Sequence, residues 1–418
     1  MQKRLSILLV LLMIFSLFAC SSTASVDGEK QLLDADQNLE QPKVGIILVG
    51  DENEGYTYAH IDGIKVAAKK LGIDESQLLW KYNIGEDQTC YDAAVDLIEN
   101  GASMVISNSY GHQSFMQMAA NEFEDVVFVA DTGDSAAVSG LPNLKNAFTS
   151  AYESRYVSGV VAGLKIKELQ EQGQLVPENF DANGNVKIGY VGAFPYAEVV
   201  SGYTGFYLGV KSVVENVVMF VEYTNSWFDL TGEATVADDL MSQGCIVIGQ
   251  HADSTGAPSQ LQKNKEDNKY GFTAYSVGYN ISMLDVAPDV ALTSASNVWS
   301  VFYEYAFNCW LNGEDMVTDW NAGYNEGAVE ITELGSSVAA GTKEAVDATI
   351  AEIKAGNLHV FDVNTFTIGG VTPTSILGDV DADFEVETEC LIDGYFHESE
   401  FRSAPYFSAR IDGITELN

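Results

Sequence analysis

The chain has 418 residues and carries 21 Lys and Arg residues against 60 Asp and Glu residues, for a formal net charge of −39. Such an acidic surface repels nucleic acid and anionic lipid, which argues against a nucleic-acid-binding function. The chain is too long for one ordinary hydrophobic core and suits a body of two lobes.

The N-terminal segment has the pattern of a secretory signal. Lys3 and Arg4 precede an apolar run over residues 5–18, which is too short to span a membrane comfortably. The run ends in Leu17-Phe18-Ala19-Cys20, which resembles a bacterial lipobox, where the Cys thiol is lipidated. We therefore predict a lipoprotein signal peptide over residues 1–20, with Cys20 lipidated and the protein anchored on the extracytoplasmic face of the cell membrane. The alternative is an ordinary signal peptide with a chance Cys at its boundary.

Residues 21–42 are rich in Ser, Thr, Asp, Glu and Gln, and this composition predicts a flexible tether. The alternative for this stretch is a first strand. The globular body is expected to begin at Lys43.

Two parts of the body begin alike. Residues 43–50 and 187–192 are short apolar runs, typical of parallel strands that are buried on both faces. Each leads into an amphipathic helix, and Gly55-Tyr56-Thr57 in the first recurs as Gly202-Tyr203-Thr204 in the second. We interpret this as a pseudo-repeat in which one βα unit opens each lobe.

Strand and helix patterns alternate along the rest of the body, which favours an α/β fold of two doubly wound parallel-sheet lobes. We expect a hinge of three segments, at the helix that carries Val157 and Val160 and near residues 290–294 and 328–331. The predicted parts are an N-lobe over 43–150 plus about 293–322, a C-lobe over 151–292 plus about 323–357, and a β-rich appendage over 358–418.

No motif indicates catalysis. The sequence lacks GxSxG, GxxxxGK[ST] and HExxH, and no GxGxxG follows either opening strand. The five histidines include no pair at i, i+2 or i, i+4, and the acidic run over residues 379–383 lacks the Gly and the Glu of a calcium loop. We therefore expect no enzyme activity, no metal and no cofactor.

The cysteines leave two alternatives open. Besides Cys20 the chain has Cys90, Cys245, Cys309 and Cys390, without any CxxC spacing. An even number in an exported protein permits two disulfides, and four buried reduced thiols are at least as consistent with the sequence.

Ligands of open α/β sheets bind beyond the carboxyl ends of the strands, and polar and aromatic residues cluster at these positions. The candidates of the first half are Asp51, Tyr56, Thr57, Ser109 and Tyr110. Those of the second half are Phe194, Trp227, Asp229, His251, Asp253 and Asn280, followed by Trp299 at the start of a helix, where core packing is the alternative. Aromatic faces from two lobes would stack a planar ring, and the polar groups would bind its edge by hydrogen bonds.

Several segments in this order resemble the basic membrane protein family of ABC-transporter lipoproteins, of the purine nucleoside receptor or Med-like type. They are Gly50-Asp51 with Gly55-Tyr56-Thr57, residues 151–163, Ser226-Trp227-Phe228-Asp229, Gln250-His251-Ala252-Asp253-Ser254 and residues 323–329. The resemblance implies a type I periplasmic-binding fold, a purine base or nucleoside as ligand, and delivery to an ABC permease with its ATPase.

The chain departs from the better known nucleoside receptors in three places. Tyr56-Thr57-Tyr58 replaces their Asp-x-Ser-Phe-Asn, Asn280 stands where an acid is common, and Ser296-Asn297 where many members carry a Lys. These departures affect the expected sugar contact more than the base contact. The alternative function is a receptor or sensor of the same fold for another small solute.

We predict that Cys20→Ala yields a protein that is not lipidated and is either released or left uncleaved, because the residue that accepts the lipid is gone. Metabolic labelling with radioactive fatty acid measures this. Label incorporated into the Ala variant at the level of the unmodified protein would contradict the lipobox interpretation.

Overall fold

A computed structural model of the chain describes residues 42–418. The predicted signal peptide with Cys20, and all but the last residue of the predicted tether, lie outside the described residues. Between residues 42 and 418, no helix has the length and apolar character needed to cross a membrane.

The body alternates strands and helices as the sequence predicts. The helices are α1 (Gly55–Leu71), α2 (Gln88–Glu99), α3 (Gln113–Glu122), α4 (Ala136–Ser139), α5 (Ala151–Glu171), α6 (Ala197–Lys211), α7 (Leu230–Ser242), α8 (Gly256–Glu266), α9 (Trp299–Asn312) and α10 (Thr342–Lys354). The longer strands are β1 (Lys43–Ile47), β2 (Leu78–Lys81), β3 (Ala102–Ser107), β4 (Val127–Asp131), β5 (Leu144–Thr149), β6 (Val186–Gly192), β7 (Val217–Tyr223), β8 (Val247–Gln250), β9 (Tyr275–Tyr279), β10 (Ala291–Asn297), β11 (Asp319–Ala322) and β12 (Val329–Ile331). Five short strands follow, β13 (Leu377–Gly378), β14 (Thr388–Glu389), β15 (Leu391–Ile392), β16 (Tyr395–Phe396) and β17 (Ile414–Glu416).

The first sheet forms the N-lobe. Its strands have the order β11-β5-β4-β3-β1-β2 and are all parallel. Successive side chains of a strand point to opposite faces, so Ile46 packs in the cluster with α1 and α9, whereas Ile47 packs in the cluster with α2 and α3. Helices therefore cover both faces, which is why this strand is almost wholly apolar.

The second sheet forms the C-lobe, with the order β12-β10-β9-β8-β6-β7-β17. Only β12 is antiparallel to its neighbour among these strands. Tyr190 packs in the cluster with α5 and α6, and Val191 packs in the cluster with α7 and α8. The predicted fold class, two doubly wound parallel-sheet lobes, is confirmed.

The chain crosses between the sheets three times, after β5, after β10 and between β11 and β12. The sequence placed the second crossing near residues 290–294 and returned the chain to the N-lobe at about 293. In the structure β10 lies inside the second sheet, parallel to β9, so this crossing follows Asn297. The strand escaped detection because the five residues that follow Leu292 are Thr, Ser, Ala, Ser and Asn, which do not form an apolar run. All seven residues of β10 are nevertheless buried.

The C-terminal segment beyond α10 contains the predicted short β elements. The pairs β13-β14 and β15-β16 are antiparallel, and β17 extends the second sheet parallel to β7. Phe361, Phe396 and Phe407 of this segment belong to the same buried cluster as α5 and α6. The segment is therefore packed into the C-lobe.

The four cysteines of the described chain, Cys90, Cys245, Cys309 and Cys390, are all free and buried. Of the two alternatives, the structure has the one with buried reduced thiols.

Helices α5 and α6 cross at two glycines. A Cβ on Gly159 would lie 2.1 Å from the Phe206 carbonyl oxygen, and one on Gly209 would lie 2.0 Å from that of Tyr156. Because both obstacles are backbone atoms, neither can move without shifting a helix.

We therefore expect Gly159→Ala to lower the free energy of unfolding by about 1–3 kcal/mol, the usual cost of overpacking. The clash outweighs the ~1 kcal/mol by which Ala is the better helix former. Urea unfolding of residues 21–418, the chain without the predicted signal peptide and Cys20, measures the change. Lys167→Ala on the exposed face of α5 is the control and should stay within about 0.5 kcal/mol. Equal midpoints for Gly159→Ala and the unmodified protein would contradict the close crossing.

Candidate ligand-binding site

The carboxyl ends of the two sheets face a cavity of about 70 Å³ between the lobes. It is lined by Val49, Glu54, Tyr56, Ser109, Tyr110 and Thr132 of the N-lobe and by Glu198, Trp227, His251 and Tyr279 of the C-lobe. A wider depression of about 590 Å³ shares Val49, Glu54 and Trp227 with the cavity and extends to Asp51 and Phe194. Another depression, of about 310 Å³, lies away from these strand ends, between α6 and residues 357–365.

Five of the sequence-predicted residues line the cavity: Tyr56, Ser109, Tyr110, Trp227 and His251. The indole of Trp227 lies 6.1 Å from the His251 ring, centroid to centroid. Tyr110 of the N-lobe lies 6.5 Å from Tyr196 of the C-lobe. Aromatic rings of both lobes thus meet at this position, as the strand-end pattern predicts.

Two more predicted residues, Asp51 and Phe194, line the wider depression. The ring of Phe194 stacks on Tyr196 at 5.1 Å, and the Asp51 carboxylate accepts hydrogen bonds from the backbone and side-chain N–H groups of Asn53. These hydrogen bonds lower the pKa of Asp51, which remains a carboxylate at the cleft mouth.

Three predicted residues support the cavity from behind. Thr57 is fully buried, donates to Glu54 Oε2 and accepts from Asn108 Nδ2 at 3.3 Å. Asn280 Nδ2 donates to Asp253 Oδ1 at 2.7 Å, and both side chains are buried. These groups already hold hydrogen-bond partners within the protein.

Asp229 and Trp299 do not line the cavity. The Asp229 carboxylate caps the start of α7, where it accepts from the N–H groups of Thr231 at 3.1 Å and Gly232 at 2.9 Å. Trp299 is 1% exposed and stacks on His60 at 4.1 Å in the N-lobe core. A position at the start of a helix is compatible with a core residue and with a cleft residue. In the structure this side of α9 faces the N-lobe core.

Sequence analysis missed Glu54, Glu198 and Tyr279 as site residues, although Tyr279 ends β9 and the strand-end rule points to it. Among these residues, Glu198 in the first turn of α6 contacts a predicted site residue, because its Oε1 lies 3.0 Å from His251 Nε2. An acid at a helix start is usually explained by the helix dipole alone, so only the fold reveals this pair.

A buried arginine underlies the C-lobe side of the cavity. Arg155 is 2% exposed, its Nη1 donates to the Gln250 carbonyl at 2.6 Å, and its guanidinium lies 3.5 Å from the centre of the Tyr279 ring. Burial, and secondarily this positive charge, lower the pKa of His251, while Glu198 opposes the change. The imidazole is therefore neutral at pH 7.

The N-lobe side has a matching polar cluster beneath Tyr56. The Tyr303 hydroxyl donates to Asp131 Oδ2 at 2.7 Å, and His60 Nδ1 lies 2.5 Å from the same hydroxyl. The His60 ring meets the edge of Tyr56 at 4.6 Å. Burial raises the pKa of Asp131 and lowers that of His60, so both shifts favour the uncharged forms.

Carboxyl groups form part of the polar lining. Glu54 and Glu198 supply carboxyl oxygens to the cavity, and Asp253 lies behind it. Burial raises the pKa of Glu54, and burial followed by the Glu54 charge raises the pKa of Asp253 well above its ordinary value. A protonated carboxyl offers an O–H donor beside its carbonyl oxygen, so the arrangement suits a flat ring that carries both N–H or O–H donors and acceptor atoms on its edge.

The chain is similar in sequence to known proteins. The family described as "ABC transporter substrate-binding protein PnrA-like" matches residues 42–358. A purine-binding protein of Brucella abortus is 29% identical over 323 residues, which cover 77% of this chain and 83% of that protein. A putative ABC transporter glucose-binding protein of Haloferax volcanii is 26% identical over 268 residues, 64% of this chain and 61% of that one.

Solved structures share the fold. An ABC transporter solute-binding protein of Aeropyrum pernix aligns with a TM-score of 0.61 at 15% identity, over 80% of this chain and 94% of that one. A transcriptional activator of the comK gene from Bacillus halodurans aligns with a TM-score of 0.58 at 18% identity, over 76% and 99%.

Glu233 of α7 holds one loop of the site in place. Its buried carboxyl accepts from the backbone N–H of Ser254 at 3.1 Å and from that of Asp229 at 3.2 Å. Burial raises the pKa of Glu233 to about 7. The folded state therefore favours the protonated form relative to the unfolded chain. The stability due to this preference is present below the ordinary pKa of about 4.5 and is lost as the pH rises through about 7.

We expect Glu233→Gln to remove this loss while Oε1 keeps both hydrogen bonds. Between pH 5.5 and 8.5 the unmodified protein should lose about 2 kcal/mol more unfolding free energy than the variant, since each pKa unit corresponds to about 1.4 kcal/mol. Urea unfolding at the two pH values measures the difference. Glu344→Gln, on the exposed side of α10, should follow the unmodified protein. Parallel pH profiles for Glu233→Gln and the unmodified protein would show that Glu233 ionises normally.

Proposed function

Because the chain belongs to the family of PnrA-like ABC transporter substrate-binding proteins, we propose that it binds a purine base or nucleoside in the interlobe cavity. The family consists of solute-binding proteins rather than enzymes, and such proteins deliver a small molecule to an ABC permease. Here the proposed partners are that permease and its ATPase.

The observation that carries the proposal is the set of aromatic rings that both lobes place around one cavity. Tyr56 and Tyr110 come from the N-lobe, and Trp227 and Tyr279 from the C-lobe. Flat rings on two sides stack a planar heterocycle, and each base–aromatic stack is worth about 1–3 kcal/mol. A sugar ring also packs against aromatic faces, so the polar groups of the lining have to discriminate between a purine and a sugar.

The acceptors of the lining fit a ring with N–H donors. Glu54 and Glu198 supply carboxyl oxygens at opposite lobes of the same cavity. A purine with an exocyclic amine or a ring N–H offers donors in the plane of its ring, where acceptors beside a stack can be reached. The purine-binding relative from Brucella abortus supports this ligand class.

A cavity of about 70 Å³ has to widen when a ligand enters. The three crossings form a hinge between the lobes, and hinge opening provides this space. Binding would then close the lobes on the ring.

A second candidate is a receptor for a sugar, on the strength of the glucose-binding relative from Haloferax volcanii. In that case the carboxyl groups of Glu54 and Glu198 in this chain would accept hydrogen bonds from sugar hydroxyls, and the aromatic rings of the cavity would cover the face of the sugar. A role as a sensor of the same ligand rather than in transport also fits the fold.

The proposed location is the extracytoplasmic face of the cell membrane, with the lipid on Cys20 as anchor. The lipobox-like Leu17-Phe18-Ala19-Cys20 supports it. There the receptor would meet solutes before they reach the permease.

Thermal-shift screening of the soluble body, residues 21–418, tests the proposal against purine bases, nucleosides, sugars and amino acids. A specific ligand at about 100 times its Kd adds about 2.7 kcal/mol of stability. Stabilisation by a purine base or nucleoside is expected. Stabilisation by sugars alone would favour the second candidate, and the absence of any shift with purines would reject the first.

We expect Trp227→Ala to weaken purine binding about five- to over a hundredfold, because it removes a stacking face. Trp227→Phe should recover part of the loss, since it restores a ring face. Calorimetric titration measures affinity and a melting curve of the same variant measures stability. Trp80→Ala, at a half-buried Trp of β2 outside the cavity, should leave the affinity unchanged. Normal affinity with a large drop in melting temperature would make Trp227 a packing residue.

A further inference from the structure

The family match ends at residue 358, whereas the chain continues for another 60 residues to Asn418. This C-terminal segment, residues 359–418, is anchored in the C-lobe. Phe361, Tyr406 and Phe407 are buried in the C-lobe core, and the Met219 N–H of β7 donates to the Gly413 carbonyl at 2.8 Å.

One short part of the segment reaches the N-lobe. Arg402 Nη1 lies 3.4 Å from Asp134 Oδ2, and the Ser403 N–H donates to Asp319 Oδ2 at 2.8 Å. Asp134 follows β4 and Asp319 begins β11, both strands of the first sheet. Ala404 packs against Phe148 at the end of β5. The segment therefore spans the two lobes outside the three hinge crossings.

Arg402 is held in one orientation by its own loop. Its side chain is 7% exposed, and its Nε and Nη2 donate to the carbonyls of Ala404 at 3.2 Å and Pro405 at 3.4 Å. This leaves Nη1 to two carboxylates, Asp134 of the N-lobe at 3.4 Å and Asp379 of the same segment at 3.8 Å. A buried guanidinium needs such a carboxylate, because removal of either partner leaves an uncompensated charge.

The carboxylate that faces Arg402 also contacts a residue of the cleft. The Tyr110 hydroxyl donates to the same atom, Asp134 Oδ2, at 3.3 Å, and Tyr110 lines the cavity. Burial, and secondarily the Asp134 charge, raise the pKa of Tyr110 to about 12, so its hydroxyl stays protonated and able to donate. A continuous chain of contacts joins Arg402 through Asp134 to a ring of the site.

We propose that Arg402 is a positioning residue, through which the C-terminal segment latches the C-lobe onto the N-lobe and orients Tyr110 in the cleft. Opening the hinge separates Arg402 from Asp134, which leaves Asp134 without a guanidinium and Arg402 with Asp379 of its own segment as the remaining carboxylate. The latch does not depend on which ligand the cleft takes, whereas the affinity measurements below rest on the proposed function.

Small-angle scattering of the ligand-free soluble body tests the latch without any ligand. Arg402→Gln should have a larger radius of gyration than the unmodified protein, and Asp134→Asn, from the other side of the contact, should show the same expansion. Arg402→Lys should restore part of the compaction. The control is Arg410→Gln on the same segment, whose guanidinium pairs with Glu416 at 2.9 Å within the C-lobe and which should not expand.

Equal radii of gyration for folded Arg402→Gln, Asp134→Asn and the unmodified protein would overturn the latch. If one variant fails to fold, as its melting curve would show, the other decides the result.

Titration with adenine tests the positioning of Tyr110. Arg402→Gln should weaken adenine binding about tenfold, within the range of typical coupling between sites. In the double variant that combines Arg402→Gln with Tyr110→Phe, the fold-loss of adenine affinity should be at least about threefold smaller than the product of the fold-losses of the two single variants. This is the behaviour of groups that belong to one network. Independent, multiplicative losses would overturn the positioning role. If the unmodified protein binds neither adenine nor any other purine base or nucleoside of the thermal-shift screen, the purine proposal loses its support, while the scattering result still decides the latch.

Discussion

A parallel strand without an exposed face has to be covered by helices on both sides, and the rest of this molecule depends on that constraint. In β1 the neighbours Ile46 and Ile47 enter different clusters, one under α1 and α9 and the other under α2 and α3. Helices that cover both faces leave the ends of the strands as the places where loops can carry polar chemistry. The two sheets turn these ends toward each other, and the cavity lies between them.

Burial also governs the chemistry of the site. Charged groups removed from water are stable only with partners or in their uncharged forms. Arg155 lies against Tyr279 and the Gln250 carbonyl, and His251 lies against Glu198. Such a framework holds its rings and acceptors before a ligand arrives, which lowers the ordering cost of binding.

The sequence predicted the architecture because periodicity and strand-end position are local properties. The apolar runs at residues 43–50 and 187–192 located the opening strand of each lobe, and Trp227 and His251 were found by their place after strands. The strand β10 was not predicted because its Ser, Thr and Asn residues resemble a loop, and only its neighbours β9 and β12 explain why they are buried. Glu198 and Arg155 were not identified as site residues because their partners lie far away in the chain and meet them only in the fold. The residues around Trp299 did not distinguish a core position from a cleft position, and only its packing against His60 shows that it lies in the core.

The burial of the four thiols determines how the described body reacts with oxidants, disulfides and alkylating agents. Burial raises the pKa of Cys90 and of Cys245 to about 12 and that of Cys390 to about 11. Thiolates are the species that attack disulfides, alkylating agents and oxidants, so these three groups are chemically quiet at neutral pH. Because the four cysteines of the described residues are free, the described body has no disulfide for a reducing agent to break. Because the pKa of these three thiols is raised, a cysteine introduced on its surface would react with a thiol-specific dye far faster than these three, which makes the two lobes straightforward to label for distance measurements.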